Sequence, residues 1–388
     1  MITKIYVHHF RSLEKLEIPL SQINVLTGLN NSGKTSLLQG MAMLKNVVSN
    51  PNRPVDQLLM LPGQNFGGFS ELVYDKDKTR QIVFAIAVKD KRKVLHYGIS
   101  LGQNAGSFYL KSKEISEGTA SLNVNFPYPL NQQIQIDDKQ GEAVLTWNGV
   151  TANPLSQSQS AINLVTQINR VFETIQGFDY VESGVKFSKV LYGNVAITDY
   201  STEEQIAAAI ATDRDLEGKI SHYFEKVFDQ EFSVRAIIGT SNFHLQTRDK
   251  HTGFVTDLVN QGSGQNQVIY LLARILRSPV SLICLDEPVI HLHPSTIGKL
   301  MQVFVEIARN ENKQFLLATH NEHLVNSLLI QVVKKALQPK ALNVFYLEKY
   351  LKSTRVERQK VNEDGQLEGG LKHFLDVELE DLKIFLKV

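Results

Sequence analysis

Two short stretches of this chain carry residues whose types and spacing can act on phosphate. The first, Gly28-Leu29-Asn30-Asn31-Ser32-Gly33-Lys34-Thr35, matches in full the glycine-rich pattern that wraps a nucleoside triphosphate. Each residue type answers a chemical need. Glycines let the backbone curl around the phosphates, backbone N–H groups and the N-terminus of a following helix supply positive potential, a lysine reaches the β- and γ-phosphates, and a hydroxyl ligates Mg2+. Lys34 and Thr35 take the last two roles, with Asn30, Asn31, Ser32, Gly33 and Ser36 completing the ATP-binding loop. The second stretch, Leu282-Ile283-Cys284-Leu285-Asp286-Glu287-Pro288, is an apolar run that ends in two carboxylates. Asp286 is placed to hold Mg2+ through its water shell, and Glu287 to orient and deprotonate the water that attacks the γ-phosphate. Alone, the first pattern could be a plain turn and the second a strand whose acids cap the next turn. Together they read as a machine for ATP hydrolysis.

Such residues need elements that hold them. Apolar runs at residues 2–9, 16–20 and 22–27 read as strands, the first two flanking Phe10-Arg11-Ser12 and the third ending at Gly28. A helix should start at Lys34, because Leu37, Leu38, Met41 and Leu44 recur at helical spacing. From residue 50 to about 240 the pattern shifts to short strand-like runs and polar turns, such as 81–88, 94–100 and 143–147 before Asn148-Gly149. The basic stretch 89–93 reads as the tip of one hairpin. Helical segments follow near 158–176 and 202–228, neither with heptads long enough for an extended coiled coil. After Gly262, strand and helix patterns alternate: Val268, Leu271, Leu272, Ile275 and Leu276 mark a helix, 281–285 a buried strand, and Ile297, Leu300, Met301, Phe304 and Ile307 a second helix. A strand at 314–319 and a helix through Leu324, Leu328 and Val332 complete the run. That alternation implies a parallel sheet faced by helices. The expected fold is α/β, a nucleotide-binding head split by an inserted, mainly antiparallel and helical lobe. The expected parts are a head portion at 1–49, a lobe at 50–240, a second head portion at 241–340, and C-terminal strands and a helix at 341–388.

Composition narrows the classes. Forty-one Lys plus Arg against forty Asp plus Glu leave a formal charge of +1 over 388 residues, so nothing in the balance announces nucleic acid or an acidic membrane as a partner. The single cysteine, Cys284, sits in an apolar run, reads as core and fits a reducing compartment. No apolar stretch reaches the ~18 residues that span a bilayer, and residues 1–5 lead into a strand pattern without a signal segment, so a cytoplasmic protein is expected.

The order of motifs resembles a known family. Phe10-Arg11, the glycine-rich loop, Asp286-Glu287-Pro288, His291-Leu292-His293-Pro294 and Ala318-Thr319-His320-Asn321-Glu322-His323 resemble, in that order, the ABC-type ATPases of the SMC and OLD branch, soluble relatives of transporter ATPases. The resemblance covers about a third of the chain. It implies a P-loop ATPase head with a mixed sheet. It also implies that Gly262-Ser263-Gly264-Gln265 occupies the place of the ABC signature, although the segment departs from Leu-Ser-Gly-Gly-Gln. In the family the signature grips the γ-phosphate of ATP held by the other subunit, which here assigns Ser263 and Gly264 to the nucleotide and implies a head-to-tail homodimer. His320 falls at the switch histidine that senses the γ-phosphate and supports the water. Arg11 resembles an early arginine that contacts phosphate, and Gln64 is a candidate for the glutamine that links Mg2+ to the lobe. A zinc site of His291, His293 and His320 is the rival reading of those histidines, and no cysteine pair accompanies it.

Within that branch, Lys34 and the signature stand much farther apart along the chain than in a transporter subunit. The long heptad arms of SMC machines are absent, and Glu378 and Glu380 read as a helix face rather than as a nuclease metal site. A compact, nuclease-free ATPase remains. Proteins that look like this often sit in prokaryotic defence systems, where the ATPase dimer controls a separate nuclease or toxin. A DNA-binding ATPase of repair or chromosome maintenance is the rival expectation. A scaffold with a dead ATP site conflicts with the presence of Lys34, Thr35, Asp286 and Glu287.

Overall fold

The computed structural model describes residues 1–50, 53–90, 93–114, 119–126, 132–138, 141–147, 152–154, 159–198, 202–368 and 370. Asn148-Gly149, Glu378 and Glu380 lie outside these residues. The chain forms two compact units, Met1–Tyr180 with Phe345–Arg358, and Val181–Val344 with Gln359–Val388.

The first unit begins with the hairpin of β1 (Ile2–Phe10) and β2 (Leu13–Pro19). The wholly buried β3 (Ile23–Thr27) runs into the glycine-rich loop, and α1 (Lys34–Ser49) follows. The strand, loop and helix read from the sequence are therefore present. The antiparallel strands β4 (Ile82–Asp90), β5 (Lys93–Leu101), β6 (Gly106–Glu114) and β7 (Thr119–Phe126) then extend the sheet that β1 and β2 begin, in the order β2-β1-β4-β5-β6-β7. β4 pairs along β1, for example Val7 opposite Phe84. α1 packs on β1 and β4, above an edge-to-face pair of Phe10 and Phe84 with ring centroids 5.1 Å apart. β4 and β5 pair antiparallel up to Asp90 opposite Lys93; of the basic stretch 89–93, residues 91 and 92 lie outside the described residues. The helix Gln159–Gln176 covers α1 and β5.

In the second unit, the segment read as one helical stretch at 202–228 is two helices, Glu203–Thr212 and Arg214–Phe228. Asp213 is the cause: its carboxylate accepts from the N–H groups of Asp215 and Leu216, capping a new helix where the old one ends. An antiparallel hairpin, Gln230–Ala236 with Asn242–Asp249, follows. The alternating region is as expected. Strands Leu282–Asp286 and Gln314–Ala318 run parallel, are buried at every residue, and align Asp286 with Ala318. Helices Ser263–Leu276, Pro294–Asn310 and Glu322–Val333 accompany them, and helix Arg214–Phe228 packs against the first two. The parallel pairing demands a crossover, which Pro294–Asn310 supplies. Among the described residues no helix is long and apolar enough to cross a membrane.

Candidate functional site

The glycine-rich loop lies in the first unit and the carboxylate pair in the second. At the end of β3, Thr27 Oγ1 donates to the Phe345 carbonyl at 3.1 Å. The chain turns at Gly28 with φ +136°, where a Cβ would lie 2.1 Å from the Leu347 carbonyl oxygen, so only glycine fits. Asn31 (φ +65°) and Gly33 (φ +98°) complete the curl. Gly33 is the N-cap of α1, yet no side chain caps this helix and its first turn holds no acidic residue. Gly33 has no side chain with which to cap the helix, and the positive end of α1 is suited to an anion. Lys34 is 7% exposed. Its ammonium donates to the carbonyls of Gly28 at 2.7 Å and Leu29 at 2.9 Å, spanning the loop from within. Asn30 and Asn31 are exposed on the rim, Ser32 is buried, and Thr35 and Ser36 are half-buried on the first turn of α1.

Arg11 and Gln64 come to the same helix. The Arg11 guanidinium donates to Gln39 Oε1 at 2.5 Å and to Ser36 Oγ at 3.4 Å, and it lies 4.7 Å from the ring centroid of Phe66. Burial lowers its pKa and the field of Tyr180 opposes that shift, but a guanidinium remains charged. Gln39 Nε2 in turn donates to Gln64 Oε1 at 3.5 Å. Gln39 was not among the sequence candidates. Its signal was a polar side chain at a buried position of an apolar helix face.

The carboxylates sit where buried strand Leu282–Asp286 ends. Asp286 is 9% exposed. Glu287 N–H donates to the Ala318 carbonyl at 2.9 Å, and the residue adopts φ +47°, a left-handed conformation that costs energy in any residue with a side chain. Its carboxylate is held on both oxygens. Thr319 Oγ1 lies 3.0 Å from Oε2, while the His320 backbone N–H donates to Oε1 at 3.0 Å and His320 Nδ1 lies 2.6 Å from the same oxygen. An ionised carboxylate only accepts, so Nδ1 carries the hydrogen and Nε2 is the outer nitrogen. His320 is 59% exposed and Glu287 16%. The structure therefore joins two sequence candidates, Glu287 and His320, and adds Thr319, which sequence reasoning did not single out.

Ser263 opens helix Ser263–Leu276, whose N-cap Gly262 offers no side-chain bond and whose first turn holds no acid. Gly264 is a close-packing position: a Cβ there would come within 2.7 Å of Leu292 Cδ2 and 2.8 Å of the His291 carbonyl oxygen. The buried Asn266 locks this helix start to a neighbouring segment, accepting from Phe187 N–H at 2.8 Å and donating to Phe187 O at 2.9 Å. His293 caps helix Pro294–Asn310, with Nδ1 accepting from Ser295 N–H. Among the described residues no group of three or more His, Cys, Asp or Glu could hold a metal ion.

These residues fit ATP and Mg2+ chemically. In the first unit, the α1 N-terminus behind a turn that excludes a side chain at Gly28 suits phosphate, and the Thr35 hydroxyl there, like the Asp286 carboxylate of the second unit, is an oxygen donor of the kind Mg2+ takes.

Comparison with known proteins agrees. The family profile of an "AAA ATPase domain" matches residues 1–139, and the profile of an AAA domain named for the AbiEii toxin of a Type IV TA system matches residues 188–326. The DNA replication and repair protein RecF of Cellvibrio japonicus is 48% identical over 44 residues, 11% of this chain and 12% of RecF. The lipoprotein-releasing system ATP-binding protein LolD of Rickettsia felis is 32% identical over 66 residues, 17% of this chain and 30% of LolD. The chain thus matches less than a third of the length of either relative. Among solved structures, an Smc head bound to the C-winged helix domain of ScpA superposes with TM-score 0.54 at 11% identity, covering 93% of this chain and 98% of that one. The Smc head with an extended coiled coil, bound to the ScpA C-terminal domain derived from Pyrococcus furiosus, gives 0.52 at 10% identity, covering 99% of each. The two AAA-domain profiles and the likeness to Smc heads agree on the fold of an ABC-type ATPase head.

Proposed function

We propose that this chain is a Mg2+-dependent ATP hydrolase that dimerises head to tail on ATP and senses for, or switches, a separate effector such as a nuclease or toxin, in prokaryotic antiviral defence. The observation that carries the hydrolytic reading is Glu287, a carboxylate fixed in a strained turn at the end of a buried strand with His320 on one oxygen. In this reading the N–H groups of α1 and the Lys34 ammonium take the phosphates, with Lys34 exchanging its loop carbonyls for phosphate oxygens. Thr35 and Asp286 would hold Mg2+, whose positive charge would offset the charge developing on the phosphate oxygens. Glu287 accepts a proton from water as the water oxygen bonds to the γ-phosphorus and the bond to the bridging oxygen breaks, giving ADP and phosphate. His320 orients that carboxylate, Arg11 contacts phosphate, and Gln64 reports the state of the nucleotide to the rest of the chain. Ser263 and Gly264 of a partner copy close the γ-phosphate face. Residues 1–49 and 241–340 serve as the head, 50–240 as the lobe that carries the signal, and 341–388 as its C-terminal completion. The effector reading draws on the AbiEii-like profile over residues 188–326.

The test is steady-state hydrolysis of Mg-ATP by the wild type beside Glu287→Gln. Turnover in the wild type, slowed by at least ~10²-fold in the variant while ATP stays bound, is the expected result; equal turnover in both removes Glu287 from the reaction. A DNA-binding ATPase of repair or chromosome maintenance is the second reading, favoured by the RecF match. Copurified nucleic acid without a protein effector would select it.

A further inference from the structure

We infer that Thr319, which lies outside both phosphate motifs, is a positioning residue for hydrolysis, its hydroxyl fixing which oxygen of Glu287 is left to accept the proton from water. The inference rests on the ATPase reading above. The parallel ladder creates the contact: Asp286 stands opposite Ala318, so the next residue of each strand, Glu287 and Thr319, leaves the sheet side by side. The hydroxyl's polarity follows from its two neighbours. Asn321 N–H donates to Thr319 Oγ1 at 2.9 Å, so that oxygen is an acceptor. Glu287 Oε2, 3.0 Å away, belongs to a group that only accepts when ionised, so the hydroxyl hydrogen goes to Oε2. Asn321 is also the N-cap of helix Glu322–Val333, whose positive end polarises the same chain of donors.

The two carboxylate oxygens are thereby made unequal. Oε2 is held by a residue with 0% exposure, where water does not compete and the rotamer is fixed. Oε1 is held by His320, whose side chain is exposed and free of such confinement. When the His320 ring shifts toward a γ-phosphate, Oε1 loses the Nδ1 bond, keeps only the His320 backbone N–H, and becomes the oxygen available to accept a proton, while Oε2 stays clamped. A carboxylate without the clamp would rotate and lose the near-attack geometry on which proton transfer depends.

Thr319→Val keeps the shape and removes the hydroxyl. The expected result is a kcat lowered by about 10- to 100-fold, the cost of losing a hydrogen bond to a charged group, with KM and the affinity for ATP changed by no more than about twofold. Thr319→Ser, which retains the hydroxyl, restores most of the rate. In a Glu287→Gln background, Thr319→Val adds no further slowing, because the residue acts through Glu287. If Thr319→Val is unfolded by circular dichroism, Thr319→Cys, similar in size and a poor donor, replaces it with the same expectations. Wild-type kcat in the hydroxyl-free variant, no rescue by serine, or full additive slowing on top of Glu287→Gln each overturns the inference. A wild type without ATPase activity sinks the ATPase reading itself; an active wild type with a slow Glu287→Gln leaves any failure on Thr319 alone.

Discussion

The Lys34 ammonium bridges the carbonyls of Gly28 and Leu29 and draws the loop around a positive centre. Two neutral carbonyl acceptors hold a buried ammonium less strongly than anionic phosphate oxygens do, so the exchange on ATP binding favours the phosphates. Lys34→Ala is expected to abolish or greatly weaken ATP binding with little effect on the fold; calorimetry that returns wild-type affinity would contradict the loop's role. At Glu287 the glutamine variant keeps size and hydrogen bonding, so ATP should accumulate on it, and the slowing should appear after binding rather than before. Lys34, Thr35, Asp286 and Glu287 were legible in the sequence because each belongs to a contiguous motif. Thr319 and Gln39 were not, because their meaning lies in partners distant along the chain, 32 residues for Thr319 with Glu287 and 28 for Arg11 with Gln39.

At the scale of elements, the helix starts matter more than the helices. α1 and Ser263–Leu276 both begin at a glycine with no side-chain cap and no acid in the first turn, whereas Glu322–Val333 and Arg214–Phe228 are capped by Asn321 and Asp213. These two are the helices assigned to phosphate, and a glycine at the cap leaves room for an anion to approach the helix start. Gly264 ties the second of these to the segment at His291 and Leu292. Since the atom a Cβ would meet includes a backbone carbonyl, Gly264→Ala must displace the helix start and is expected to cost about 1–3 kcal/mol of stability. Denaturant unfolding measures it, and an unchanged midpoint would show that the start is slack. Helical and strand periodicity made most elements legible. It did not reveal the break at Asp213, where a capping carboxylate interrupts a continuous apolar pattern, nor that β4–β7 join the sheet of β1 and β2, since pairing between distant strands leaves no local signal.

For the whole molecule, a formal charge of +1 neither drives nor opposes the approach of two copies at long range. In the proposed dimer each nucleotide is held by the P-loop of one copy and the signature helix of the other, and hydrolysis removes the charge that joins them, which gives a two-state signal to an effector. Mixing two inactive variants tests this most directly. Lys34→Ala loses the phosphate lysine, and Gly264→Asp places an anion where the γ-phosphate should be gripped. In a mixed head-to-tail dimer both defects fall on one composite site and the other site is wild type throughout. ATPase activity absent from either variant alone should therefore return on mixing. If labelling shows that subunits exchange, both variants are folded, and no activity returns, the composite-site account is contradicted.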